Sequence, residues 1–244
     1  MTGAKTLEGT PNPEAPNPQL PVVQKLRVRY AKRGRLRFTS HRDFARAFER
    51  AVRRAGVPIG FSSGFSPHPK ISYANAAPTG SASEAEFLEI GLTELRLPDD
   101  VRKALDEALP PGLDVLDVVV AGPGSLADRL EASEWLIEVP GADSERLSTA
   151  VSSFLAADAI TVDRMTKRGL RAIDIRGPVV ALTAEGAALR AVVRTAVPTV
   201  RPDDIVAGLR EHGLGQAGMP VARRLNQGPL SGTSLRAEVR DPLR

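Results

Sequence analysis

Apolar and polar residues alternate along Leu26-Arg27-Val28-Arg29-Tyr30, the two-residue period of a half-buried strand, and Lys32-Arg33-Gly34-Arg35 then breaks the pattern as a turn. From Ser40 the period becomes helical. Ser40-x-x-Asp43 is a capping box and Gly56 suits a left-handed C-terminal cap, so the stretch between them predicts a helix over 41–55. At about 100° per residue, Phe44, Ala47, Phe48, Ala51, Val52 and Ala55 share one sector, and Arg42, Arg46, Arg50 and Arg53 fall opposite. One face belongs to a core and the other is cationic.

Further strands are expected at 71–76, 86–92 and 113–120, with a helix over 99–108 behind Pro98. The order β-α-β-β-α-β over about one hundred residues is that of a ferredoxin-like sandwich, an antiparallel sheet with two helices on one face. The second half repeats it. Strands are expected at 134–139, 179–183, 189–195 and 220–225, helices at 144–156 and 202–212, and an added hairpin at 160–166 and 170–175. The fold class is therefore α+β, two tandem ferredoxin-like sandwiches with antiparallel sheets. The divisions are a disordered Pro-rich tail at 1–24, a first domain at 25–122, a linker at 123–133, a second domain at 134–230 and a tail at 231–244.

Composition narrows the chemistry. With no cysteine among 244 residues, disulfides, thiolate catalysis and Cys-ligated clusters are excluded. There is no Walker loop, dinucleotide fingerprint, nucleophile elbow or paired-histidine metal motif, so neither metal nor cofactor is expected. No apolar run could span a bilayer and residues 1–20 hold no signal-like segment, which gives a soluble, cytoplasmic protein without membrane contact as the expectation.

Charge changes the picture more. Between Lys25 and Lys70 stand thirteen lysines and arginines against two carboxylates, whereas the remainder of the chain is net acidic. A surface that excludes carboxylates fits a polyanionic partner, RNA above all. The alternative is that these cations pair with the acidic remainder. The candidate nucleic-acid contacts are Arg33, Arg35, Arg37, the helix arginines Arg42, Arg46, Arg50 and Arg53, and Lys70. A second basic stretch, Lys167, Arg168, Arg171 and Arg176, lies on the expected hairpin, either extending one cationic groove or pairing locally through Asp174.

Gly60-Phe-Ser-Ser-Gly64-Phe65-Ser-Pro-His68-Pro-Lys70 cannot continue a helix, and its glycines and prolines predict a preorganised loop. Phe61 and Phe65 either staple it to the core or form an aromatic platform for a ligand. Ser40, His41, Gly64, Phe65 and His68 make up a candidate loop site, in which backbone N–H groups, Lys70 and His68 converge on a phosphate or base beside the N-terminus of the 41–55 helix.

Two runs, Phe38-Thr-Ser-His-Arg-Asp-Phe-Ala-Arg and Gly64-Phe-Ser-Pro-His-Pro-Lys-Ile-Ser, with Ala55-Gly56 between them, resemble the radical-SAM-linked protein family over roughly residues 25–232. That family occurs alone or fused behind a radical S-adenosylmethionine enzyme. The resemblance implies a radical SAM or RNA-processing enzyme as partner, while the cluster ligands would have to come from elsewhere. Tandem ferredoxin-like domains with a histidine near the first helix are also similar in layout to the endoribonucleases that trim CRISPR repeat RNA. Three functions follow: an RNA-binding accessory protein presenting tRNA or rRNA to such an enzyme; a metal-independent RNA-processing enzyme with His41 and His68 as catalytic candidates; or a module docking an acidic protein. The bland role for both histidines is structural, bonding carbonyls or filling a turn.

Overall fold

The computed structural model describes residues 20–166, 169–232 and 237–243. The first half runs β1 (Gln24–Lys32), α1 (His41–Arg54), β2 (Ile71–Ala74), β3 (Ala82–Leu92), α2 (Pro98–Ala108) and β4 (Val115–Val120). The second runs β5 (Ala132–Glu138), α3 (Ser144–Ala156), β6 (Thr161–Thr166), β7 (Gly169–Asp174), β8 (Val179–Glu185), β9 (Ala188–Arg194), α4 (Pro202–Leu209) and β10 (Val221–Gly228). A short pair, β11 (Leu230–Ser231) and β12 (Glu238–Val239), closes the chain.

Among the described residues the chain forms a mixed α+β structure in which one large sheet, mostly antiparallel, carries four α-helices. Its strands run β4-β1-β3-β10-β5-β9-β8, with β2 also on β3. Within each half the strands of the β-α-β-β-α-β frame thus lie in the order fourth, first, third, second, and β6-β7 stands apart as its own hairpin. The expectation of two separate antiparallel sheets needs correction. Arg223 and Arg224 of β10 pair in parallel with Ala82 and Ser83 of β3, which fuses the halves into one surface. Those residues belong to an early part of β3 that the hydrophobic pattern left out of the strand, because Ser81-Ala-Ser-Glu-Ala85 carries too few apolar side chains to alternate clearly.

All four helices cover the same face. Leu26, Val28, Tyr30, Leu88 and Ile90 form one core with Phe44 and Phe48 of α1 and Val101 and Leu105 of α2. Trp135, Ile137, Leu189 and Ala191 form the other with Leu147 and Phe154 of α3 and Ile205 and Leu209 of α4. Glu86 stands opposite Tyr30 on the first face, and the Arg224 guanidinium reaches both Glu86 and the Trp135 ring, so the two faces are one. On the outer face, Phe87 is covered by Leu126 and Leu130 of the connecting segment and by Leu243. The expected 231–244 tail is therefore in part folded: β12 returns to β11 and Leu243 packs beneath the sheet. The helix expected over 202–212 ends earlier, in a wider turn where Gly213 takes a φ of 106°.

Candidate nucleic-acid interface

The amphipathic period of α1 decides which way it sits. Phe44, Phe48, Ala51 and Val52 are buried on the sheet, and Tyr30 stacks on Phe44 with ring centroids 4.2 Å apart. Arg42, Arg46, Arg50 and Arg53 consequently face solvent. None has a carboxylate within ion-pair distance among the described residues; only Arg53 makes a side-chain bond, to the Glu49 carbonyl at 3.3 Å. Arg35, in the 3-10 turn Gly34–Phe38, is exposed too, and the Arg37 guanidinium lies over the Phe38 ring at 4.8 Å.

Other cations of the basic segment are tied down. Arg33 bridges Glu84 and Asp114, the latter at 2.6 Å, and those carboxylates raise its pKa. Arg27 is buried, pairs with Glu89 at 3.3 Å, and donates to the carbonyls of Gly122 and Gly124. Lys25 shares Glu89 at 3.3 Å. Internal ion pairs thus account for Lys25, Arg27 and Arg33, and main-chain carbonyls take up Arg29 and Lys32, while the α1 arginines keep no carboxylate partner among the described residues.

The expected convergence at the helix start is not formed. Ser40 caps α1, but its hydroxyl also bonds the Asp43 carboxylate at 2.7 Å, which puts a negative charge where an anion would sit. His41 is exposed and meets the Tyr73 ring edge-on at 4.9 Å. The Tyr73 hydroxyl is buried without a hydrogen-bond partner among the described residues; burial, with Glu49 adding, pushes its pKa well up. His68 lies elsewhere, in a cleft with Glu49, Val52 and Arg53. That is two to three turns, about 12 to 18 Å, further along α1 than His41. The two histidines therefore share no site. Lys70 precedes Ile71 and Tyr73, which face the helices, and its side chain lies on the outer face by Lys25, Glu89 and Gly91.

Backbone pairing closes the loop at its neck. Ser62 N–H donates to the His68 carbonyl at 2.8 Å, the Ser62 hydroxyl accepts from His68 N–H at 2.9 Å, and Lys70 N–H donates to the Gly60 carbonyl at 2.8 Å. At its tip Gly64 takes a φ of 123°, a conformation a side chain would strain. The two phenylalanines divide the two roles between them. Phe61 packs on the core, whereas Phe65 is 87% exposed.

On the hairpin, Lys167 and Arg168 lie outside the described residues. Arg171 is exposed. Arg176 is engaged by main chain, donating to the carbonyls of Val179 and Leu155 at 3.1 and 3.0 Å. The hairpin packs against α4, so the groove expected between it and the basic helix is not built.

One cluster was not foreseen. Lys32, Ser83, Glu86, Arg224 and Gln227 are all buried at the β3–β10 junction. Arg224 donates to Glu86, to the Ser83 hydroxyl, to the Gln227 side chain at 3.0 Å and to the Asn75 carbonyl at 2.8 Å. Burial alone would push the Glu86 carboxyl up, but Arg224, Ser83, Lys32 and the Ala77 N–H together hold it below the ordinary range. The only trace in the sequence is a charge inside each apolar strand. Their pairing across 138 positions is invisible there.

The family model described as uncharacterized protein conserved in bacteria (DUF2344) matches residues 25–202. The chain belongs to that family. No curated protein matches the chain. The DUF2344 match takes in α1 and the Gly60–Lys70 loop and stops at the first residue of α4, so β10 and Arg224 lie beyond it. Among the described residues no helix is long and apolar enough to cross a membrane.

Proposed function

We propose that this member of DUF2344 is an RNA-binding accessory protein whose contact surface is the exposed face of α1. One observation carries the reading: Arg42, Arg46, Arg50 and Arg53 form a solvent-facing row without carboxylate partners among the described residues, while Lys25, Arg27 and Arg33 are paired internally. Leaving four like charges exposed and unpaired on one helix is unfavourable to the free protein. Phosphates relieve it. Phe38, 59% exposed just before the helix cap, and Phe65, on the loop packed along the helix's second half, add aromatic surfaces on which unpaired bases stack.

We read the strand order of each half as that of a ferredoxin-like unit, the two joined edge to edge through β3 and β10. In this reading the protein holds tRNA or rRNA for a radical SAM or other RNA-modifying enzyme in the cytoplasm. The sequence resemblance supports that partner. The separation of His41 from His68 favours binding over catalysis by this pair.

The test is fluorescence anisotropy with tRNA and with rRNA fragments at several salt concentrations. Arg46→Glu with Arg50→Glu is expected to abolish RNA binding with an unchanged circular dichroism spectrum. Unchanged affinity in that variant would remove α1 as the contact surface. Equal binding of polyglutamate at the same salt would favour an acidic protein partner instead.

A further inference from the structure

Where the two halves meet on the helix-bearing side, a cleft of about 210 Å³ opens. We propose that it is a binding site for a small phosphate monoester with a planar apolar body. This stands apart from the RNA reading, since none of the α1 arginines lines it.

The charge of its walls is one-sided. Arg194, Arg201 and Arg224 line the cleft and no carboxylate does. Arg224 is fixed deep in the wall, with Glu86 behind it as counter-charge. Arg194 and Arg201 are exposed at the rim, and neither guanidinium makes a hydrogen bond or ion pair among the described residues. Asp203, whose pKa burial and Asp204 raise, is the carboxylate whose field Arg201 offsets in the first turn of α4. Two free guanidinium groups suit a phosphate, which they grip with paired N–H donors.

The remaining wall is apolar. Trp135, Val193 and Pro78 contribute it, and the Arg224 guanidinium lies over the indole at 5.5 Å from the ring centroid. A cleft with cations at the mouth and an indole inside is complementary to a ligand that is anionic at one end and flat and apolar at the other. Because the walls come from both halves, occupancy would also fasten the halves together.

Trp135 is the sole tryptophan of the chain, so its fluorescence reports on this cleft alone. Phenyl phosphate is the probe, with inorganic phosphate and phenol as controls. Phenyl phosphate is expected to change the emission saturably, and each control to act at least tenfold more weakly. Arg194→Gln with Arg201→Gln should weaken phenyl phosphate at least tenfold while circular dichroism stays unchanged. Arg46→Gln with Arg50→Gln, on α1, should leave it unaffected. No saturable change up to about 10 mM phenyl phosphate would overturn the proposal. So would an equal response to inorganic phosphate, or a rim double variant that binds as the parent does. Any of these results leaves the RNA reading of α1 standing.

Discussion

Glu86 and Arg224 are the residues where a single substitution should cost most. Each is at most 3% exposed, and replacing one leaves the other charged and buried without its partner. Arg224→Met is expected to lower stability by about 3 to 5 kcal/mol in urea melts, and adding Glu86→Leu should recover much of that loss. A single variant within about 1 kcal/mol of the parent would show that the pair contributes little. Because its partners hold the Glu86 carboxyl below its ordinary value, the folded state binds that proton less readily than the unfolded chain. The contribution is therefore present above the unfolded carboxylate pKa of about 4.3 and is lost as pH falls through the lower, folded value. Acid melts of the parent should be steeper in that range than those of the Glu86→Leu, Arg224→Met double variant. Phe48, with no exposed surface, and Phe44, at 3%, are ordinary core residues by comparison. Truncating either to alanine should cost about 3 to 5 kcal/mol.

For α1 and its loop, stability and binding should separate cleanly along the helix faces. Single Arg→Gln substitutions at 42, 46, 50 or 53 touch no partner but Glu49, and each should leave stability within about 0.5 kcal/mol. If each contacts one phosphate of a single strand, each should flatten the slope of log K against log salt by roughly 0.7. A slope unchanged in all four would place the phosphates elsewhere. The loop offers a paired test. Phe61 packs on the core and Phe65 does not, so Phe61→Ala should destabilise the fold while Phe65→Ala leaves its melting unchanged. Phe65→Ala should instead weaken RNA by about 1 to 3 kcal/mol if a base stacks on that ring. Helix and loop boundaries here were readable because their causes are local: a Ser40 cap, a 3.6-residue apolar period, and glycines and prolines that stop a helix. Which phenylalanine is the staple was not readable, since both occupy equivalent positions in the run.

Over the whole molecule, the parallel junction of β3 with β10 turns two sequence halves into one sheet. Its buried ion pair and the shared cleft predict a single cooperative unfolding transition in denaturant, with Trp135 fluorescence and far-ultraviolet dichroism coinciding. Two resolved transitions would show that the halves melt independently of the seam. The sequence by itself determined the alternation of helices and strands, the buried face of α1 and the row of arginines opposite it, because periodicity and capping act between residues a few positions apart. It also determined that one segment is far more basic than the rest. Only the tertiary structure decided which of those cations stay free, since Glu84 and Glu89 of β3 and Asp114 just before β4 reach Arg33, Arg27 and Lys25 from far along the chain. It likewise parted His41 from His68 and turned Lys70 to the outer face, through the pleat of β2 and the path of the loop. The Glu86–Arg224 pair and the cleft beside it arise only when β10 docks on β3, and no local pattern encodes a contact between strands so far apart in the chain.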